Sequence, residues 1–426
     1  MKKQGKTGKT SHPRPPIHSH PKTPRPPSPP PARPGLAELI AGHRPGFSLD
    51  AGFYTSAAVY QKDLTEIFFR HWIRVGHISE LPEPGCYFLF ELGGESCILV
   101  RDRGGEIRAF ANVCRHRGSR ICTEPAGRVA AFVCPYHAWT YGLDGRLRSK
   151  RAMPADFEPA RYGLKALRCG VFHGLIFINL DHTAPDLADC LKAVDASYEI
   201  YDLENTKVAC RETYPVAANW KLAVENFMEC YHCAPAHTEY ARCHALQSPE
   251  DNAALRPALL REAAQLGYRT ATVSSTESPD KAAAQYYYAR NALYAPFLTG
   301  SRDGKPLAPL LGRIGDYGGG VADLQVGPVS FGLLYADHAV WYGFAPRGVQ
   351  ATDMEITWLV HADAEEGRDY DPEQLTWLWR VTSEADKKII NDNQKGVNSR
   401  FYEPGPLSDM EEFTAGFIRW YLGQIG

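Results

Sequence analysis

The chain has 426 residues, 44% of them hydrophobic and 23% charged, with a formal net charge of −2. That length and composition can bury a large core and point to two compact units, while the near-neutral charge gives the body no reason to bind nucleic acid or a membrane surface. No apolar run reaches the roughly 20 residues of a membrane span, the basic N-terminus lacks the apolar stretch of a secretion signal, and eleven cysteines, an odd count in a long chain, fit a reducing compartment better than a disulfide framework; a cytoplasmic protein is expected.

Residues 1–34 hold eight Lys or Arg, eleven Pro and no Asp or Glu, too little apolar surface to offset the entropy of ordering. They predict a disordered, partly polyproline tail of charge +8, which leaves the remainder at −10. His12, His18 and His20 in this tail read as solvated. Residues 35–75 read as helical, with Leu64, Ile67, Phe68 and Trp72 recurring at steps of three and four. From 76 to 180 the pattern changes to short β runs at 87–92, 96–101, 107–112, 130–134 and 170–180, separated by Gly, Asp and Pro, which predicts a small all-β domain. Residues 181–426 mix helices at 187–203, 219–233, 373–396 and 409–422 with strands at 329–345 and 353–362, so the fold class is α+β. No internal repeat is present.

The first chemical constellation lies in the β region: Cys114-Arg-His116, then Cys134-Pro-Tyr-His137. Each arm supplies one thiol and one imidazole. A zinc finger would put its cysteines on one arm and its histidines on the other, whereas the mixed order suits a [2Fe–2S] cluster with two Cys on one iron and two His on the other. Structural zinc is the alternative. The second constellation is Glu229-Cys-Tyr-His232-Cys-Ala-Pro-Ala-His237. Glu229 and His232 are spaced for one face of a helix. His232 and His237 stand about 140° apart on a regular helix, but Pro235 disfavours helix before it and lets the chain turn His237 back beside His232. Two imidazoles and a carboxylate form the facial triad of non-haem Fe(II), with positions left open for O₂. Cys230, Tyr231 and Cys233 are expected to pack or hydrogen-bond nearby.

The stretches Cys-Arg-His-Arg-Gly and Cys-Pro-Tyr-His-Ala-Trp resemble the Rieske domain of the ring-hydroxylating oxygenase family, and the resemblance runs over nearly the whole chain from about residue 36. It implies a helical segment at 35–75 packed on the catalytic part, a Rieske domain at 76–180, and a catalytic domain at 181–426 with an antiparallel, helix-grip-like sheet. The family places an aspartate eight positions before a glutamine on a C-terminal helix, which Asp386 and Gln394 match; Asn391 departs from the family's acidic residue, leaving Asp392 and Glu384 as alternatives. The resemblance further implies a homotrimer in which Glu229 bridges to a neighbour's Rieske centre. Glu229, where most members have Asp, together with Ser399-Arg-Phe-Tyr-Glu-Pro-Gly-Pro, is similar to the branch acting on quaternary ammonium compounds, including glycine betaine, stachydrine, carnitine and choline oxygenases.

An N-methyl hydroxylated by O₂ would leave as formaldehyde, so oxidative N-demethylation of a small molecule is the expected reaction. Rings at Phe331, Tyr335, Trp341 and Tyr342, within a ring-rich region that also includes residues 285–298, are candidates to hold a methylated ammonium by cation–π attraction. Gly318-Gly-Gly320 lacks the strand, spacing and helix of a nucleotide fingerprint, so a separate flavin and iron–sulfur reductase must deliver electrons from NAD(P)H. Hydroxylation of an aromatic acid is the alternative among enzymes. A pure Rieske electron carrier or a zinc-stabilised binding module are the alternatives of other classes.

Overall fold

Apolar alternation over residues 73–179 builds one antiparallel sheet of seven strands. Its order is Ile73–His77, Leu175–Asn179, Ala166–Phe172, Ile107–Ala111, Glu95–Arg101, Cys86–Leu92 and Ala126–Arg128. These come from a computed structural model that describes Met1 and residues 34–275 and 285–426. The expected basic tail, with His12, His18 and His20, falls on residues outside the described ones. Helix was expected as far as residue 75, but it ends in a π-turn at Leu64–Phe68 and Ile73–His77 is a wholly buried strand. The expected run at 170–180 is in fact a hairpin, because His173 and Gly174 both adopt positive φ and turn the chain between two strands. A small three-stranded sheet, Phe132–Val133, Thr140–Tyr141 and Leu147–Ser149, lies in sequence between Ala126–Arg128 and Ala166–Phe172.

The second seven-stranded sheet runs Thr206–Val216, Ala351–His361, Ala339–Gly348, Ser330–Leu334, Val321–Val326, Tyr286–Asn291 and Val273–Ser274, again antiparallel between neighbours. Its central strand Ser330–Leu334 is buried at every position, since side chains on its two faces enter two separate apolar cores, one holding Phe331 and Tyr342 and the other Leu334 and Trp341. The expected helix at 187–203 shrinks to Leu187–Leu191 followed by 3-10 turns. Two long elements had not been expected: the edge strand Thr206–Val216 and the helix Pro249–Gln265. The helix Pro372–Val397 packs on the edge strand. No helix among the described residues is long and apolar enough to cross a membrane.

A buried polar knot ties distant parts of the chain to the helix Trp220–Phe227. Asp63, fully buried, accepts hydrogen bonds from Trp220 Nε1 at 2.9 Å and from Lys221 Nζ, and its other oxygen accepts from Tyr421 Oη at 2.6 Å. An ion pair so deep survives because the lone pairs of Asp63 are well served; removing one partner of such a pair costs roughly 3–5 kcal/mol. The knot fixes the helix from which the second constellation hangs.

Candidate metal centres

Cys114–His116 follows the strand Ile107–Ala111, and Cys134–His137 turns between Phe132–Val133 and Thr140–Tyr141. The two loops repeat one hydrogen-bond pattern. Cys114 N–H donates to Ser119 O and its carbonyl accepts from Gly118 N; Cys134 N–H donates to Trp139 O and its carbonyl accepts from Ala138 N. The equivalent residues Gly118 and Ala138 both take positive φ, 78° and 56°. Both thiols are free and buried; His116 is exposed and His137 half-buried, with their Nδ1 atoms 3.1 Å apart. Trp139 stacks on His116 at 4.8 Å, and Tyr141 Oη lies 3.2 Å from Cys114 Sγ while accepting from Arg115 N. Desolvation, with the charges of His116 and Arg117, holds His137 below the usual imidazole range, so the ring is neutral and free to ligate. Two buried sulfurs and two adjacent imidazoles nearer the surface fit a cluster with a sulfur-bound and a nitrogen-bound iron.

The second site is assembled where the helices Trp220–Phe227 and Pro372–Val397 meet. Asn219 caps the helix Trp220–Phe227, and its own N–H donates to Gln394 Oε1 at 2.8 Å; Ala217 N donates to Asn391 Oδ1 at 2.7 Å. Residues 391 and 394 thus clamp the start of this helix against Pro372–Val397, and an amide oxygen at Asn391 accepts that bond as a carboxylate would. Two helical turns before Gln394, Asp386 comes to face the histidines. Glu229 was expected on a helix with His232, but the helix ends at Phe227. Glu229 sits instead in a turn, where its carboxylate accepts from the N–H groups of Tyr231 and His232 and lies 2.6 Å from His232 Nδ1. The reversal expected at Pro235 also moves: Pro235 lies in the first turn of a short helix, Cys233–Ala236, where proline is tolerated, and the break is His237 itself at φ −128° and ψ 74°.

Cys230 and Cys233, expected as separate packing groups, are joined in a disulfide across this turn, with Cα atoms 4.9 Å apart.

His232 Nε2 lies 3.3 Å and His237 Nε2 2.9 Å from Asp386 Oδ1, and the three ligand atoms lie within 4.8 Å of one another. The alternatives do not join them: Asp392 pairs with Lys395 and Glu384 is exposed. Burial lowers the His232 pKa, but its hydrogen bonds to Asp386 and Glu229 outweigh this and hold it up at about 9. Burial likewise raises Asp386, and its bonds to the two histidines more than reverse the effect. The buried Asp386 and half-buried Glu229 around two imidazoles call for a cation, and a carboxylate with two histidine nitrogens is the donor set of non-haem Fe(II).

A cavity of about 420 Å³ opens against this triad. Phe227, Tyr240, Tyr287, Phe331, Tyr342 and Trp379 contribute to its wall. Of the four rings expected to face substrate, Phe331 and Tyr342 line it; Tyr335 and Trp341 do not. Trp341 neighbours Tyr342 on one strand, so the two side chains point to opposite faces, and Trp341 packs in the other core against Tyr198 and Arg74. Tyr335 is fully buried, its hydroxyl 2.7 Å from His244 Nε2. Trp379 and Thr382 precede Asp386 by seven and four residues, a helical spacing that could have identified them as wall residues. Asp323, Asn291 and Arg256 also line the cavity, and nothing in the local sequence marked them.

The family model for the ring hydroxylating alpha subunit (catalytic domain) matches residues 203–426, and that for the Rieske [2Fe-2S] domain matches residues 71–169. The chain is 36% identical over 403 residues to the glycine betaine monooxygenase oxygenase subunit of Pseudomonas aeruginosa, covering 92% of each. It is 37% identical over 208 residues to the carnitine monooxygenase oxygenase subunit of Escherichia coli K12, 47% of this chain and 55% of that one. The fold is shared with the quaternary ammonium Rieske monooxygenase CntA in complex with L-carnitine, at TM-score 0.67 and 22% identity over 91% of this chain and 97% of that one. Fold and matches together define a Rieske-type oxygenase, an oxidoreductase that carries a [2Fe–2S] cluster and a mononuclear iron. The chain belongs to the ring-hydroxylating alpha-subunit family.

Proposed function

We propose that the enzyme removes an N-methyl group, as formaldehyde, from a quaternary ammonium compound, with Cys114, His116, Cys134 and His137 holding the cluster and His232, His237 and Asp386 holding the mononuclear iron. The observation that carries this reading is the ring-walled cavity set against the triad. A methylated ammonium is a large, weakly hydrated cation, and aromatic faces such as Phe227, Phe331, Tyr342 and Trp379 attract it by roughly 0.5–2 kcal/mol each. The relatives named for glycine betaine and carnitine support the same substrate class. Bound iron supplies activation of O₂, with electrons from the cluster. Two electrons and two protons reduce one oxygen atom to water while the other enters a C–H bond of the N-methyl; the resulting hemiaminal expels formaldehyde and leaves the tertiary amine.

Glu229 orients His232 by accepting from Nδ1, the role of an outer carboxylate at a metal-bound histidine. In the proposed trimer it also meets His137 of the partner subunit, which suits the partial exposure of His137 and the greater exposure of Tyr231 on this chain. A separate reductase passes electrons from NAD(P)H. The test is formaldehyde released per O₂ consumed, with a surrogate reductase, across quaternary amines and aromatic acids. Stoichiometric formaldehyde from a quaternary amine is expected; hydroxylation of an aromatic acid without it would overturn the reading.

A further inference from the structure

Beyond its rings, the cavity contains one acid and one base that the triad does not use. Asp323 projects from the strand Val321–Val326 and receives a hydrogen bond from Asn291 Nδ2, the only bond to its carboxylate among the described residues. Asn291 Oδ1 accepts in turn from Asn252 Nδ2 at 3.1 Å, on the helix Pro249–Gln265. One helical turn beyond Asn252 stands Arg256. Its guanidinium donates to Arg290 O at 3.2 Å and to Thr272 Oγ1 at 3.0 Å, both neutral acceptors, and no carboxylate among the described residues pairs with it. Both charges act on Tyr287, so the phenol stands within reach of each, and Asp323 also acts on Tyr240, three residues from His237. Asp323 thus stands in the cavity on the sheet wall, near Tyr240, and Arg256 on the helix Pro249–Gln265. Glu412, the other acid that acts on Tyr287, is exposed.

We infer that Asp323 and Arg256 are specificity-determining residues for a zwitterion, Asp323 facing the quaternary ammonium and Arg256 the carboxylate. The inference rests on the quaternary-ammonium reading and adds to it the second charge and the residues that select both. A half-buried carboxylate with a single amide partner is costly to ionise, and desolvation pushes Asp323 up to about 7. A permanent cation restores its charge without needing a proton or a hydrogen bond. At the other end, Arg256 keeps donors for a carboxylate, where charge-assisted bonds are stronger than those to neutral acceptors. A substrate with a cation at one end and a carboxylate at the other satisfies both at once and points its N-methyl groups toward the triad.

Three probes separate the contributions: glycine betaine, choline with the same cation and no carboxylate, and 3,3-dimethylbutyrate with the same shape and carboxylate and no cation. Anaerobic calorimetry on the holoenzyme should show glycine betaine bound roughly 30-fold or more tightly than either analogue. Asp323→Asn should erase the preference over 3,3-dimethylbutyrate and keep that over choline; Arg256→Gln should do the reverse. Unchanged iron content and visible spectrum show that each variant is folded. A wild-type enzyme that binds choline or 3,3-dimethylbutyrate as tightly as glycine betaine overturns the inference even if a variant cannot be made. Demethylation of glycine betaine with both preferences intact in the variants overturns it alone. A wild type that neither binds nor demethylates any quaternary amine overturns the functional reading, and this inference with it.

Discussion

The two metal regions solve opposite problems. Cys114, His116, Cys134 and His137 lie on two copies of one tight turn, closed by bonds within six residues, with the thiols buried and the imidazoles nearer the surface. His232, His237 and Asp386 are drawn from parts of the chain 149 residues apart and set under rings, held by the clamp of Asn391 and Gln394, by the Asp63 knot and by Glu229. The first site depends on local backbone geometry, the second on the whole catalytic core. A cluster that must pass electrons outward gains from exposure, whereas a site that activates O₂ gains from a dry wall.

The largest expected effects come from removing one ligand on each side. Asp386→Ala should empty the mononuclear site and abolish turnover while the Rieske absorbance remains; Cys114→Ser should bleach that absorbance and leave the iron at His232 and His237. Metal analysis with visible spectroscopy checks both, and a loss of both centres in either variant would break the comparison, since it would mean that the two regions fold as a unit. Next in size is Glu229→Gln, expected to keep both metals but lower turnover by roughly 100-fold. Single-turnover oxidation of a pre-reduced cluster, with substrate and O₂, is the measurement; a wild-type rate would leave Glu229 only the task of holding its turn.

Smaller changes sharpen the account of the exposed loops. Tyr141→Phe removes the hydroxyl 3.2 Å from Cys114 Sγ and should lower the Rieske reduction potential by roughly 20–60 mV, the one-electron equivalent of a single hydrogen bond. Protein-film voltammetry reads this directly, and an unchanged potential would place the hydroxyl's role in holding Arg115 N alone. The smallest effect belongs to the turn twins. At Gly118 an added Cβ meets nothing within 4 Å, so Gly118→Ala costs only the left-handed backbone, roughly 1–2 kcal/mol. Ala138→Gly relieves the same strain and recovers part of that. Loss of cluster absorbance in denaturant should order the three proteins accordingly; equal midpoints would show that the turns are not equivalent.

How much was legible follows from the same contrast. The proposed cluster ligands could be singled out because their spacing is local and the turns carry their own signals. His232 and His237 were legible as a pair, but the bend between them was assigned to Pro235 when His237 itself makes it. Asp386 needed the family's spacing, since a lone acid on a charged helix carries no mark of its partners. The cavity was the hardest. Strand periodicity says that Trp341 and Tyr342 face opposite ways but not which of them faces the cavity, and only the packing of Trp341 beside Tyr198 decides it. The edge strand Thr206–Val216 escaped notice because Lys207, Arg211, Glu212 and Pro215 break its apolar pattern, and an edge position is where a strand tolerates them.

The knot at Asp63 has a consequence for the order in which the protein can be made. Its last donor, Tyr421, is 358 residues further along the chain. At translation rates of about 5–20 residues per second, Asp63 waits roughly 20–70 s on the ribosome before that hydroxyl exists. The turns of the iron–sulfur loops can close during that interval, since their bonds are all local. The helix beneath the triad cannot reach its final setting until synthesis is nearly complete, so the oxygen-activating half matures last.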